Sequence, residues 1–280
     1  MVPLTHGLPA DGERCREAWL RPLDGRDEEA LARTDGRAAA ARASALLDRV
    51  VERVGALEGV SSAALTVGDR ERLLWQARRL ASGDRLDLVL DCPACTGKLD
   101  VSLDLSAFDG PVPGGVGDRS AHPGGVPTEQ REEIDGHVVG FRLPTGADQE
   151  AVADSAADPP AAARALLARC VLDVDGAVPD DAVLARVGGA LAERMAALDP
   201  QAETRVDTAC PACGAAVSTF VDAGAVLIEE LTRSARWLLE EVHALAWHYH
   251  WSEADILALT AARRGRYLEL IDVAVSAGGR

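Results

Sequence analysis

Cysteines are the residues of this chain whose type and spacing most directly suggest chemistry. Four of the six cysteines form two copies of Cys-Pro-Ala-Cys, at Cys92 to Cys95 and at Cys210 to Cys213. Two thiolates separated by two residues of a tight turn can bind one metal ion, and two such pairs supply the four sulfurs of a tetrahedral zinc site. We therefore predict one structural Zn²⁺ bound by Cys92, Cys95, Cys210 and Cys213.

A thioredoxin-like redox pair and a disulfide are the alternatives for these cysteines. A redox Cys-x-x-Cys should open a helix, whereas both pairs here are followed by segments with strand-like alternation. The other two cysteines, Cys15 and Cys170, are predicted to be a loosely placed thiol and a buried helix residue.

The turns around the two pairs differ in sequence. Gly214 directly follows the second pair and suits the positive φ with which a chain leaves such a turn. Thr96 follows the first pair, and Gly97 comes one residue later, so the first turn is expected to be the less regular one. Residues 96 to 209 separate the pairs, so the fold must bring them together.

The elements that would position the cysteines occur twice along the chain. Each half has a short strand with an acidic helix start, an Ala-rich amphipathic helix, a helix that begins with aspartate, and an alternating strand that leads into a cysteine pair. The matching segments are 19–32 and 141–153, 46–51 and 161–171, 69–81 and 180–197, and 86–90 and 204–208. They lie about 120 residues apart, which indicates an internal duplication; chance similarity of Ala/Arg/Leu-rich helices is the alternative.

These observations predict an α+β fold that is mainly α-helical. Two duplicated half-domains each end in a β-hairpin with a cysteine pair, they join through one zinc-ribbon-like site near a pseudo-twofold axis, and a helical extension follows. The predicted segments are a disordered N-terminus (1–12), a first half (13–108), a flexible Gly/Pro-rich linker (109–134), a second half (135–222) and a C-terminal helical region (223–280).

Charge and hydropathy limit the partners of the chain. Its 280 residues carry a net charge of −16, and 48% of them are hydrophobic. A chain this acidic repels nucleic acid as a whole, which disfavours the nucleic-acid-binding role of many zinc ribbons. No segment resembles a secretion signal or approaches the length that crosses a bilayer, so we expect a cytoplasmic protein without a membrane partner. The oligomeric state is left open.

Motifs for catalysis are absent from the sequence. The chain lacks a Gly-x-Ser-x-Gly elbow, a phosphate-binding loop and a His-Glu-x-x-His helix. Four cysteine ligands would also leave zinc without an open position for water. His243, His248 and His250 are interpreted as a partner-facing or half-buried patch. We therefore predict that the protein is not an enzyme.

The C-terminal region has no counterpart in the first half and is the predicted contact surface. Apolar residues from Ile228 to Tyr249 recur at spacings of three and four, as in the heptad seam of a packed helix. Ser252 with Asp255 predicts the start of another helix. Because Trp and Tyr often anchor interfaces, the aromatics of this region are the candidate contacts, and their burial inside the domain is the alternative. They are Trp237, Trp247, Tyr249, Trp251 and Tyr267.

Several segments resemble one known family. They are Leu-Arg-Pro-Leu-x-Gly-x-Asp-Glu-Glu-Ala-Leu at 20–31, Gly-Asp-Arg-x-x-Leu-Leu at 68–74, the two Cys-Pro-Ala-Cys motifs, Phe-Arg-Leu-Pro-Thr-Gly-Ala-Asp at 141–148 and Tyr-x-Trp-Ser-Glu-Ala-Asp-Ile-Leu-Ala-Leu at 249–259. In these segments the chain is similar to the T4-family baseplate hub assembly chaperones of contractile phage tails and related extracellular contractile injection systems. The resemblance covers most of the chain apart from the first dozen residues and the glycine-rich linker.

The resemblance implies a non-enzymatic protein that assists assembly of the baseplate hub, either transiently or as a minor baseplate component. Its expected partners are hub or spike proteins, which it would bind through the C-terminal aromatic helices. A zinc-ribbon regulatory or adaptor protein that binds nucleic acid or another protein is the alternative function.

Overall fold

The first half of the chain packs two of its helices, Ala39–Val50 and Val67–Ser82, against an antiparallel sheet. The computed structural model describes residues 1–109, 129–155 and 157–278. The elements of this half are β1 (Val2–Ala10), β2 (Glu13–Leu20), α1 (Gly25–Ala32), α2 (Ala39–Val50), β3 (Val51–Val54), β4 (Leu57–Glu58), α3 (Val67–Ser82), β5 (Arg85–Asp91) and β6 (Lys98–Asp104). The sheet order is β1-β2-β3-β4, and β5 pairs with β6 in a separate hairpin. Leu46 and Leu47 of α2 and Leu73 and Leu74 of α3 fill the core.

The predicted disorder of residues 1–12 is wrong, because this segment contains edge strand β1. Val2, Leu4 and Leu8 are buried in the core of the first half. Pro3 and Pro9 argue against a strand in the sequence. An edge strand tolerates proline, however, because the backbone N–H groups on its outer side need no hydrogen-bond partner in the sheet. The pairing register with β2 also shifts between Pro3 and Leu8, which interrupts the apolar alternation.

The second half contains a smaller sheet and a second hairpin. Its elements are β7 (Glu129–Ile134), β8 (His137–Arg142), α4 (Gly146–Ala151), α5 (Pro159–Cys170), β9 (Val171–Val174), α6 (Asp181–Leu198), β10 (Arg205–Ala209) and β11 (Ala216–Phe220). The sheet order is β7-β8-β9, and β10 pairs with β11. Phe141 of β8 and Leu191 of α6 are fully buried in its core. The order of elements, from paired strands through helices to a cysteine hairpin, follows that of the first half.

The predicted linker extends too far toward the second half. Its last residues, 129–134, form β7, which pairs with β8 along its whole length. Only Ile134 of this strand is fully buried, and the five preceding residues are all polar or charged. The apolar alternation that would have identified the strand is therefore missing. Residues 110–128 of the predicted linker lie outside the described residues.

The C-terminal region is helical, as predicted, but its apolar seam is divided between two helices. The elements are α7 (Ala223–Ala235), α8 (Leu238–Tyr249), α9 (Glu253–Leu257) and α10 (Ala261–Gly278). Ile228 and Leu231 of α7 pack into the core of the first half. Leu238 and Leu245 of α8 pack instead against α9 and α10. The break between α7 and α8 lets the two parts of the seam face different cores.

A buried ion-pair network attaches these last helices to the first half. Arg264 of α10 is fully buried; its Nη2 donates to both carboxylate oxygens of Glu28 at 2.8 Å, and its Nε donates to Glu241 Oε2 at 2.7 Å. The backbone N–H of Gly25 also donates to the carbonyl of Leu259 at 3.3 Å. Because an unpaired charge left in such a site is costly, the network fixes α8 and α10 on α1.

Direct contacts join the two halves. The backbone N–H of Val67 donates to the carbonyl of Pro144, and that of Gly146 donates to the carbonyl of Leu65, both at 3.1 Å. The N–H of Gly68 donates to the buried Asp199 carboxylate at 2.9 Å. These bonds place the starts of α3 and α4 side by side.

Among the described residues, no helix has both the length and the apolar character that a bilayer crossing requires.

Candidate metal centre and contact surface

Two β-hairpins carry the cysteine pairs at their tips. The backbone hydrogen bonds of the two turns match, since Cys92 N–H donates to Gly97 O at 2.9 Å and Cys210 N–H donates to Ala215 O at 2.8 Å. The hairpins meet in a small apolar cluster in which Leu99 is buried. The fold thus brings together pairs that lie far apart in the sequence.

The residue after each cysteine pair adopts the left-handed conformation. Gly214 has φ 73°, as predicted, and the equivalent residue is Thr96 with φ 56° rather than Gly97. Thr96 N–H donates to Cys92 O at 2.9 Å, and Gly214 N–H donates to Cys210 O at 2.8 Å. The first turn therefore keeps the shape of the second, contrary to expectation, and carries the strain of a β-branched residue at positive φ instead.

The four sulfurs form one compact cluster. They all lie within 4.8 Å of one another. Cys92 Sγ lies 3.7 Å from Cys213 Sγ, and Cys95 Sγ lies 3.8 Å from Cys210 Sγ. Four sulfurs at about 2.3 Å from a tetrahedral metal ion would stand about 3.8 Å apart. The cluster is compatible with a metal site that takes one pair of thiolates from each half.

Disulfide bonding does not describe these cysteines, because all six cysteines are free thiols and a disulfide needs sulfurs about 2.05 Å apart. A strand, not a helix, follows each pair, which also separates the site from a redox motif at a helix start. Cys170 is buried at the end of α5, as predicted, and Cys15 is half-buried on β2.

Electrostatics favour a cation at the centre of the cluster. Backbone amides of Cys95 and Ala94 direct hydrogen bonds to the Cys92 sulfur and lower the pKa of this thiol to about 6. The Ala215 amide favours the thiolate of Cys213 as well, but the three neighbouring sulfurs oppose a further negative charge and raise its pKa to about 12. The turns thus stabilise thiolates whose mutual repulsion a divalent cation would offset.

The five candidate aromatics fall into two groups. Tyr249, Trp251 and Tyr267 are half-buried and pack on one another, with ring centroids 4.8 to 5.5 Å apart. Trp237 and Trp247 are 64% and 72% exposed. The first group fills the junction of α8, α9 and α10, whereas the second faces solvent.

Trp247 belongs to an exposed stripe along α8. Leu239, His243, Trp247 and His250 follow one another at spacings of three and four, and all four are exposed. An open groove of about 390 Å³ is lined by His243, Ala246, Trp247 and His250. The opposite face of the same helix is buried, so α8 presents this stripe outward.

Two matched ion-pair triads were not identified from the sequence. Asp27 accepts from Arg21 Nη1 at 2.7 Å and from Arg49 Nε at 2.9 Å. The second triad, in the second half, joins Asp148 to Arg142 at 2.5 Å and to Arg169 at 2.9 Å. Burial acts to raise the pKa of each aspartate, but the paired arginine outweighs it and holds the pKa below its usual value. The sequence signal that could have revealed them is an arginine six residues before an aspartate in each half, with Arg-Pro-Leu at 21–23 and Arg-Leu-Pro at 142–144.

A family model described as T4 bacteriophage base plate protein matches residues 4–227. The matched region includes both cysteine pairs, the N-terminal strand and the glycine-rich segment, and it ends within α7, before the aromatic motif at 249–259. Comparison with curated proteins gives no match, and neither does comparison with solved structures.

Proposed function

The chain belongs to the family of T4 bacteriophage base plate proteins, and we propose that it assists assembly of the baseplate hub of a contractile tail or injection system. In this role it binds hub or spike proteins, and it either leaves the assembly or stays as a minor component. The observation that carries this proposal is the family match, which spans both halves and both cysteine pairs.

We further propose that Cys92, Cys95, Cys210 and Cys213 bind one structural Zn²⁺. The Cys92–Cys213 and Cys95–Cys210 sulfur separations support this assignment, because they match the edge of about 3.8 Å of a tetrahedral four-thiolate zinc site. Such a site keeps no open position for water, which supports an architectural protein rather than an enzyme. A reduced zinc site also suits the cytoplasm, where thiols are not oxidised to disulfides.

An internal duplication is part of the same proposal. The two ion-pair triads support it, since each joins an arginine before a helix, an aspartate in its first turn and an arginine at the end of the next helix. Helix-rich chains can share composition by chance, but a three-residue network in the same elements is a more specific likeness. Zinc would then join equivalent hairpins of the two halves.

The proposed contact surface is the exposed stripe of α8 together with Trp237. Large contiguous apolar patches on a monomer surface mark interaction sites, and tryptophan often anchors an interface. Tyr249, Trp251 and Tyr267, by contrast, are assigned a structural role, because they pack on one another and set the angle between α8 and α10.

The test is binding of the purified chain to the recombinant hub and spike proteins encoded with it, measured by isothermal titration calorimetry. Trp237→Ala combined with Trp247→Ala should weaken binding by tenfold or more, as truncation of interface anchors does. Phe220→Ala is the matched control, because Phe220 is also 64% exposed but lies on the β10–β11 hairpin.

Two results would contradict the proposal. Equal losses in the control and in the double variant would move the contact away from α8. Salt-dependent binding of duplex DNA, without binding of a hub or spike protein, would favour the zinc-ribbon regulatory function instead.

A further inference from the structure

An arginine-lined groove lies beside the break between α7 and α8, away from the cysteines. It has a volume of about 590 Å³. Its lining residues are Arg37, Ala39, Arg42, Ala225, Ile228, Glu229, Thr232, Arg233 and Arg236. The lining residues include four arginines and one glutamate, and the carboxylate of Asp35 pairs with Arg42, so the groove keeps a net positive charge in a chain whose net charge is −16.

Two of the four arginines have side-chain partners among the described residues, and two do not. Arg42 is held at 3.2 Å by the hydroxyls of Thr34 and Thr232 and by the carboxylate of Asp35. Arg233 pairs with Glu229 at 2.7 Å, one helical turn away. Arg37 and Arg236 are exposed and make no side-chain hydrogen bond or ion pair within the described part of the chain. Two guanidinium groups are thus free to bind carboxylates from outside.

We propose that this groove binds an acidic segment of a partner protein, with carboxylates on Arg37 and Arg236. Arginine binds carboxylates through two parallel hydrogen bonds, so charge complementarity selects such a segment. Ala39 and Ala225 also line the groove, and their methyl groups can contact apolar side chains of a peptide. Trp237 directly follows Arg236 in the sequence and is 64% exposed.

Nucleic acid fits the same observations less well. A phosphate backbone carries charge along its whole length, and outside this groove it would meet the strongly acidic remainder of the chain. A short acidic peptide places its charge only where the arginines are. The inference holds whichever baseplate protein is the partner, because it concerns the chemistry of the bound segment.

The test uses the full-length chain and a fluorescently labelled peptide of six glutamates flanking two central leucines. Fluorescence anisotropy should show saturable binding that weakens with added salt. Arg37→Glu combined with Arg236→Glu should weaken this binding about tenfold or more, because each reversal removes one charge contact and adds repulsion. The same peptide with glutamine in place of glutamate should not bind.

Arg164→Glu combined with Arg186→Glu is the matched control. These two arginines are also exposed, and they lie on α5 and α6, away from the groove. The control changes the net charge by the same amount and should leave peptide binding within about twofold of wild type. Circular dichroism checks that all variants fold.

Three results of the binding experiments would overturn the proposal. They are absence of saturable peptide binding, equal losses in the groove and control variants, and binding of single-stranded DNA in preference to the acidic peptide. Dimerisation that the groove variants abolish would also overturn it, since the groove would then be occupied by a second copy of the chain.

Discussion

Thr96 and Gly214 occupy equivalent turn positions after the two cysteine pairs, and only one of them is glycine. Because a β-branched residue is strained at φ 56°, Thr96→Gly should raise the free energy of unfolding by about 1 kcal/mol. Gly214→Thr is the reciprocal change and should lower it by about 1–2 kcal/mol. Urea denaturation of the zinc-loaded variants measures both. Destabilisation by Thr96→Gly would show that the threonine stabilises its turn.

Glu71 is a buried carboxyl group that opposes folding at neutral pH. Burial, reinforced by the negative charge of Asp222, raises the pKa of Glu71 to about 8. The folded protein therefore retains a proton that the unfolded chain releases above a pKa of about 4.5, so this group makes stability fall as pH rises from about 4.5 to about 8.

Glu71→Gln should remove that dependence on pH. Glutamine can still accept the Ala223 N–H bond, which is 3.1 Å long, and carries no charge to bury. We expect the variant to be more stable than wild type by about 1–2 kcal/mol at pH 8 and nearly equal to it at pH 4. Urea denaturation at several pH values measures the difference. A variant that is less stable at every pH would show that the charge of Glu71 stabilises the fold.

Arg264 connects three helices that are distant in the sequence, so its loss should act on a whole element. Arg264→Ala leaves Glu28 buried without its partner, and we expect a loss of about 3–5 kcal/mol with faster hydrogen exchange in α8 and α10. Arg266→Ala is the control, because Arg266 lies on the same helix but forms an exposed pair with Glu269. The control should change stability by less than about 0.5 kcal/mol. Unchanged exchange in Arg264→Ala would mean that apolar packing alone holds these helices.

The elements that sequence patterns predicted are those with local signals. Aspartate before α6 and alternation into each cysteine pair gave their positions closely. The predicted start of α3 at Asp69 is two residues late, because Thr66 is the N-cap and the helix begins at Val67. β1 was missed because its prolines are unfavourable in a strand, and β7 because its charged residues show no apolar alternation. Each strand is stabilised by pairing with its neighbour in the sheet, which no local pattern shows.

The two groups of candidate aromatics could not be separated from the sequence for a similar reason. Both groups consist of large aromatic residues, Tyr249, Trp251 and Tyr267 in one and Trp237 and Trp247 in the other, and their exposure depends on how α8 and α10 cross. Likewise, the buried pair of Glu28 and Arg264 joins residues at opposite ends of the chain, for which no local pattern exists.

At the scale of the whole molecule, the halves share more than the cysteine cluster. Trp75 Nε1 donates to Thr204 Oγ1 at 2.9 Å, and the ring of the fully buried His6 lies 3.4 Å from Asp199. Ser44 donates to Glu150 across the same junction. These contacts lie away from the hairpin tips, so the proposed metal site would be one of several connections between the halves.

Removal of zinc should therefore loosen the hairpins without separating the halves. We expect chelation by EDTA to lower the melting temperature by about 5 °C or more, because four clustered thiolates lose their cation. Hydrogen exchange should accelerate in β5, β6, β10 and β11, while the radius of gyration from small-angle X-ray scattering should stay unchanged. Cys92→Ser combined with Cys210→Ser should give the same pattern without chelator, and Cys15→Ser should not. An increase in the radius of gyration, with faster hydrogen exchange at the junction of α3 and α4, would instead show that the metal is the main interaction that holds the two halves together.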